Sequence, residues 1–175
     1  MGGLPSYALV TLGLPMETEV ESVKYLYTGM IELANRHGIT IVGGDMVRSP
    51  VTFVTVGLTG VAEHECMLRS TARTGDLVAI TGYLGSSAGG LRVLQREFSV
   101  SDDSTEYLKA AHRRPEPRTQ EGLALSRVGV RTAIDISDGL MDDLSKLCTS
   151  SGVAAEIDAQ KIPVHPALKQ VFPDD

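Results

Sequence analysis

The chain has 175 residues, 42% of them hydrophobic and 22% charged, which is enough for one sizeable core or two small ones. With 16 Lys and Arg against 22 Asp and Glu, the formal net charge of -6 leaves no basic footprint for nucleic acid; anionic ligands would have to be met by metal ions, helix N-termini or selected arginines. No apolar run approaches the roughly 18–20 residues that span a bilayer, and Cys66 and Cys148 fit no metal or redox spacing, so a cytoplasmic protein with two reduced thiols and no membrane partner is expected.

Tyr7 to Leu14 alternates as a strand and is ended by Pro15. Thr18-Glu19-Val20-Glu21 reads as a capping box for a helix that carries Val23, Leu26, Met30 and Leu33 on one face and stops at Gly38. Ile39 to Val42 is a short buried strand ending in Gly43-Gly44-Asp45, and Val51 to Val61 is a longer one rich in Val and Thr. A change of pattern follows, so a domain boundary is expected there, with domains at 1–63 and 64–175.

In the second part, Asp76 to Thr81 reads as a strand running into Gly82-Tyr83-Leu84-Gly85-Ser86-Ser87 and a helix. Ser101-Asp102-Asp103 can cap another helix through about Ala111, and the prolines at 115 and 117 break the pattern. A helix over Thr119 to Val128 precedes a strand from Thr132 to Ile136. A further helix has Leu140, Leu144 and Leu147 on one face and is closed by Gly152. Val153 to Ile157 is a last strand, and Val164 to Phe172 a short helix. The fold class is α/β (α+β), in two lobes.

The strongest local signal is Asp135-Ile136-Ser137-Asp138-Gly139-Leu140 at a strand-to-helix junction. Period-two geometry puts Asp135 and Ser137 on one side of the strand, and Asp138 falls at the expected N-cap, where free N–H groups and the macrodipole favour negative charge. Two carboxylates and a hydroxyl at one end of a sheet suit a hard cation such as Mg²⁺; equally, Asp138 caps the helix while Asp135 is hydrogen-bonded inside. Gly43-Gly44-Asp45 permits close backbone approach to a ligand beyond a strand's carboxyl end, or is an ordinary turn. Arg69 could fork onto phosphate or be simply solvated. The Gly82 to Gly90 segment resembles a phosphate-cradling loop but lacks the Lys-Ser/Thr of a P-loop, and its glycines could serve close packing instead. The four histidines form no ligand pair, and Ser86 and Ser87 lack a nucleophile-elbow pattern, which excludes zinc-hydrolase and serine-hydrolase readings.

Taken in order, Ile41-Val42-Gly43-Gly44-Asp45, Arg69-Ser70-Thr71-Ala72-Arg73-Thr74-Gly75-Asp76, Thr81-Gly82-Tyr83-Leu84-Gly85-Ser86-Ser87, Arg114-Pro115-Glu116-Pro117-Arg118, Asp135-Ile136-Ser137-Asp138-Gly139-Leu140 and Gly152-Val153-Ala154-Ala155-Glu156-Ile157-Asp158 resemble the thiamine-monophosphate kinases, in the superfamily of aminoimidazole ribonucleotide synthetase. The resemblance implies a two-lobed aminoimidazole ribonucleotide synthetase-like fold, with partial N- and C-terminal domains, and a homodimer formed through the N-terminal sheet. It implies ATP- and Mg²⁺-dependent phosphorylation of thiamine monophosphate. Gly44, Asp45, Arg69 and Ser137 match nucleotide contacts, and Asp45, Asp135 and Asp138 match Mg²⁺ ligands. The chain departs from the pattern at Met46, where the family usually has Thr, and N- and C-terminal stretches of the family have no counterpart, so a truncated protein is expected. The alternatives are another ATP-dependent synthetase of the superfamily, or a non-catalytic module that dimerises or binds a partner.

Overall fold

Strand β1 (Leu4–Leu14) carries the alternation read from its sequence, and it is the centre of a sheet of order β2-β1-β3. In this computed structural model, residues 1–95 and 102–173 are described. They fall into two compact units, Met1–Cys66 with Gly122–Gly129, and Met67–Glu121 with Val130–Asp175. Among the described residues no helix is long and apolar enough to cross a membrane.

In the first unit, β1 leads through helix α1 (Val20–Arg36) to a parallel neighbour, β2 (Thr40–Arg48), and β3 (Phe53–Val61) pairs antiparallel on the other side. Ala8, Val10 and Leu12, one face of β1, are buried. The α1 N-terminus differs from the expected capping box: Glu19 is the N-cap and no side chain caps it, because the helix starts beyond the turn that the Thr18 N–H closes onto the Pro15 carbonyl. Its C-terminus is as expected, with Gly38 at φ 67° and the Ile39 and Gly38 N–H groups donating to the Ala34 and Asn35 carbonyls at 2.9 and 3.3 Å. This Schellman arrangement satisfies carbonyls the helix leaves open. The largest correction concerns Gly43-Gly44-Asp45. These residues lie inside β2, paired with Leu9, Val10 and Thr11, and do not form a turn at its end.

The second unit is helical among the described residues. Helices α2 (Ser86–Gln95), α3 (Asp103–Arg113) and α6 (Pro166–Val171) pack together around Leu108, Val93 and Ala167. A Cβ on Gly90 would lie 2.0 Å from the Leu108 carbonyl oxygen, so only glycine lets α2 and α3 approach this closely. Asp102 caps α3 as expected, accepting from the Thr105 N–H at 2.8 Å while its own N–H donates to Thr105 Oγ1; of the other two residues of that expected cap, Asp103 begins the helix and Ser101 lies outside the described residues. Tyr107 stacks on His165 at 3.8 Å, Tyr83 meets the same ring edge-on, and Ser104 donates to Gln170 across α3 and α6. Helix α4 (Thr119–Arg127) follows the proline-rich break, and its residues from Gly122 on belong to the first unit.

The segments expected as strands over 76–81, 132–136 and 153–157 are not strands here. A strand exists only where a ladder partner lies beside it, and among the described residues this part of the chain pairs at two single bridges, Leu68 with Thr132 and Leu84 with Val164. Leu77, read as a strand residue, is 95% exposed.

Leu108→Ala should cost about 2–5 kcal/mol by deleting a fully buried side chain, whereas Leu77→Ala should stay within about 0.5 kcal/mol; urea denaturation of the two variants measures the contrast.

Candidate functional site

Helix α5 (Leu140–Ser151) organises the Asp135–Asp138 segment. The expected N-cap was Asp138, but the N-cap is Gly139, at φ 122° and with no side-chain cap, because the Asp138 side chain is engaged elsewhere. Its Oδ2 accepts from Lys146 Nζ at 2.5 Å. The first-turn N–H groups of α5 are therefore left without a side-chain acceptor, at the end of the helix that favours anions.

The residue that holds this turn was not singled out from the sequence. Asp143 is 2% exposed; its Oδ2 accepts from the backbone N–H groups of Ser137 and Asp138 at 2.8 and 2.9 Å, and its Oδ1 accepts from Lys146 Nζ at 2.8 Å. The Lys146 hydrogen bond, then that from the Asp138 N–H, lowers the Asp143 carboxyl from its ordinary 3.8 to about 2. The bond to Asp138, then that to Asp143, raises the Lys146 ammonium above its ordinary range. A signal was present in the sequence: Asp143 falls on the Leu140, Leu144, Leu147 stripe, where a carboxylate is out of place unless it has partners.

Asp135, Ser137 and Asp138 are all exposed and gathered in one short segment of the second unit. An open cleft of about 460 Å³ lies at this end of α5, with Leu84, Gly85, Asp138, Leu140, Ile162 and Leu168 among its walls. Arg69 belongs to the same unit but is anchored at the other end of the helix. Ser151, the last residue of α5, donates to the Arg69 carbonyl at 3.0 Å and accepts from the Ala72 N–H at 3.1 Å. Twelve residues of helix separate that anchor from Gly139 by about 18 Å. Thr71 Oγ1 ties the loop to the Arg131 carbonyl at 2.7 Å, and the Arg69 side chain is exposed.

Gly44 and Asp45 belong to the first unit. Asp45 is exposed, pairs in register with Thr11, which in turn faces Thr55 on β3, and its Oδ1 accepts from the Met46 N–H at 2.8 Å. A Cβ on Gly44 would lie 1.7 Å from the Val10 carbonyl oxygen, so the glycine is required by the approach of β1 to β2. Among the described residues no group of three or more His, Cys, Asp or Glu side chains forms a ready metal cage. Mg²⁺ needs none, since one or two carboxylates with substrate phosphates and water complete its shell. The exposed Asp135 and Asp138 carboxylates fit that requirement.

Residues 1–63 match the family model described as AIR synthase related protein, N-terminal domain. The thiamine-monophosphate kinase of Bacillus subtilis (strain 168) is 37% identical over 179 residues, covering 99% of this chain and 55% of that protein. This chain is a homologue of the thiamine-monophosphate kinases. It spans about half the length of the curated relatives it matches. The solved structure of AaThiL complexed with AMPPCP and TMP superposes with a TM-score of 0.93 at 32% identity, covering 99% of this chain and 57% of that one. The thiamine-monophosphate kinase from Stenotrophomonas maltophilia K279a gives a TM-score of 0.89 at 32% identity, covering 100% of this chain and 56% of that one. The fold is therefore that of the aminoimidazole ribonucleotide synthetase-like superfamily.

A carboxyl held below its ordinary pKa contributes stability that is present above that ordinary value and is lost as pH falls through the folded one. The melting temperature of the wild type should therefore exceed that of Asp143→Asn at neutral pH, and the gap should close as pH falls from about 4 to about 2; melts followed by circular dichroism across that range measure it.

Proposed function

We propose that this chain binds ATP with Mg²⁺ and takes part in transfer of the γ-phosphoryl group to the phosphate of thiamine monophosphate, by direct in-line displacement. The observation that carries the reading is its end-to-end likeness to AaThiL complexed with AMPPCP and TMP, together with two exposed carboxylates and a hydroxyl held in one fixed turn at an uncapped helix N-terminus.

A phosphate acceptor is already ionised near neutral pH, so the reaction asks for no strong general base. It asks for alignment of donor and acceptor and for relief of the repulsion between two anions. Asp135 and Asp138 in the second unit, and Asp45 in the first, are the residues that would hold Mg²⁺, which when bound neutralises phosphate charge. Ser137 offers a hydroxyl to a phosphate oxygen, and the open N–H groups of α5 add a field that favours the anion. Gly44, exposed beside Asp45, would meet the nucleotide through its backbone, and the exposed Arg69 guanidinium provides a fork for phosphate oxygens.

Calorimetry should show binding of AMPPCP that requires Mg²⁺ and is weakened at least about tenfold by Asp138→Asn. Equal binding with and without the metal contradicts the reading. Incubation with ATP and thiamine monophosphate, followed by chromatography for thiamine diphosphate, separates turnover by this chain from nucleotide binding alone.

Pairing of two copies through the first unit's sheet belongs to the same reading. Met46, Val56 and Leu58, which pair with Leu12, Val10 and Ala8 and so share one face of the sheet, are each more than half exposed, and an apolar sheet surface of this kind is what an interface covers. Light scattering should give twice the monomer mass, and Val56→Asp should reduce it to the monomer; a monomeric wild type at micromolar concentration contradicts the pairing.

A further inference from the structure

Asp143 is an unusual occupant of α5. It is the one charged side chain that is buried among the described residues, and its neighbours on the stripe are Leu140, Leu144 and Leu147. Burying an ionised carboxylate costs free energy unless its oxygens are met by donors. Three donors meet it, and none serves the packing of the helix. Two are the backbone N–H groups of Ser137 and Asp138, and the third is Lys146, which also holds Asp138 Oδ2. A helix that had only to pack could carry an apolar side chain at this position. The need for a carboxylate comes from the turn.

We infer that Asp143 is a positioning residue for the cation and nucleotide site: it fixes the peptide planes of Ser137 and Asp138 and, through Lys146, the direction of the Asp138 carboxylate. The inference rests on the reading of Asp138 as a Mg²⁺ ligand. Lys146 bridges the exposed Asp138 and the buried Asp143, so a divalent cation that takes up Asp138 still leaves Asp143 with a positive partner. The turn therefore keeps its shape while the charge on its outer side changes hands. Partners one step removed from a metal commonly set its affinity in this way.

The test uses four versions of the full chain: wild type, Asp143→Ala, Asp143→Asn and, as a destabilised control in the α2–α3 core, Leu108→Ala. Mg²⁺ is titrated by calorimetry into each protein in the presence of AMPPCP, and hydrogen exchange is read at the Ser137 and Asp138 amides. Asp143→Ala should lower the apparent Mg²⁺ affinity by about 10–100-fold and speed exchange at those two amides. Asp143→Asn, whose side-chain oxygen can still accept from both amides, should fall between it and the wild type. Leu108→Ala should melt earlier but keep the wild-type dependence on Mg²⁺.

An Asp143→Ala protein with wild-type Mg²⁺ affinity overturns the inference, as does a Leu108→Ala protein with the same loss. If Asp143→Ala does not fold, Asp143→Asn decides, and unchanged affinity together with unchanged exchange overturns it. A wild type without Mg²⁺-dependent binding sinks the kinase reading and the inference with it. A wild type that binds beside an unaltered Asp143→Ala sinks the inference alone.

Discussion

A turn that presents two carboxylates three residues apart, on the way into a helix, faces two difficulties. The like charges repel, and the backbone N–H groups of the turn need acceptors that the helix cannot provide. The Asp143 carboxylate meets the second difficulty by reaching back from the first turn of α5 to the N–H groups of Ser137 and Asp138. Lys146, one turn further on, meets the first by placing a positive charge between Asp138 and Asp143. The ammonium is only half-exposed, and a buried carboxylate with backbone donors is a firmer anchor than a surface pair, whose contribution is usually small. Asp135 and Ser137 are exposed on that turn, beside the open helix N-terminus and the cleft that Asp138 helps to line.

Much of the helical part of the fold was legible in the sequence because its signals are local. Gly38 and Gly152 end α1 and α5 where their positive φ is needed, Asp102 caps α3, and the leucine spacing of α5 runs from Leu140 to the helix end. Strands were less legible. Alternation of side chains describes a surface that could be half-buried, but the ladder partner is contributed by another part of the chain; among the described residues the segments around Val78 and Ala155 have none beside them, and the one around Ile134 has a single bridge, from Thr132 to Leu68. The capping box at Thr18 failed for a related reason: the pattern fits four residues, but the turn closed by Pro15 sets where the helix begins.

The candidate site was legible at the level of residue types. Asp135, Ser137 and Asp138 could be found from their clustering at the head of a helix. Asp143 was overlooked because an acidic residue in a first helical turn ordinarily needs no further account than the helix dipole, and the amides it serves carry no side-chain signature. Gly43-Gly44-Asp45 was misplaced because paired glycines usually mark turns. Here they allow two strands to lie against each other, as the distance from a Gly44 Cβ to Val10 makes plain.

The pairing of β1 with β2 slips between Ala8 and Leu9. Ala8 stands opposite Ile41 and Leu9 opposite Gly43, so Val42 is a supernumerary residue in its strand. An odd insertion reverses the parity of everything after it. Without that bulge, Asp45 would come opposite Leu12 and share the face that β1 buries. With it, Asp45 comes opposite Thr11, on the polar row that continues to Thr55. The face on which Asp45 stands is thus chosen by a counting irregularity three residues upstream, and a ladder that took Val42 into regular pairing would turn the carboxylate inward while leaving the composition of the strand untouched.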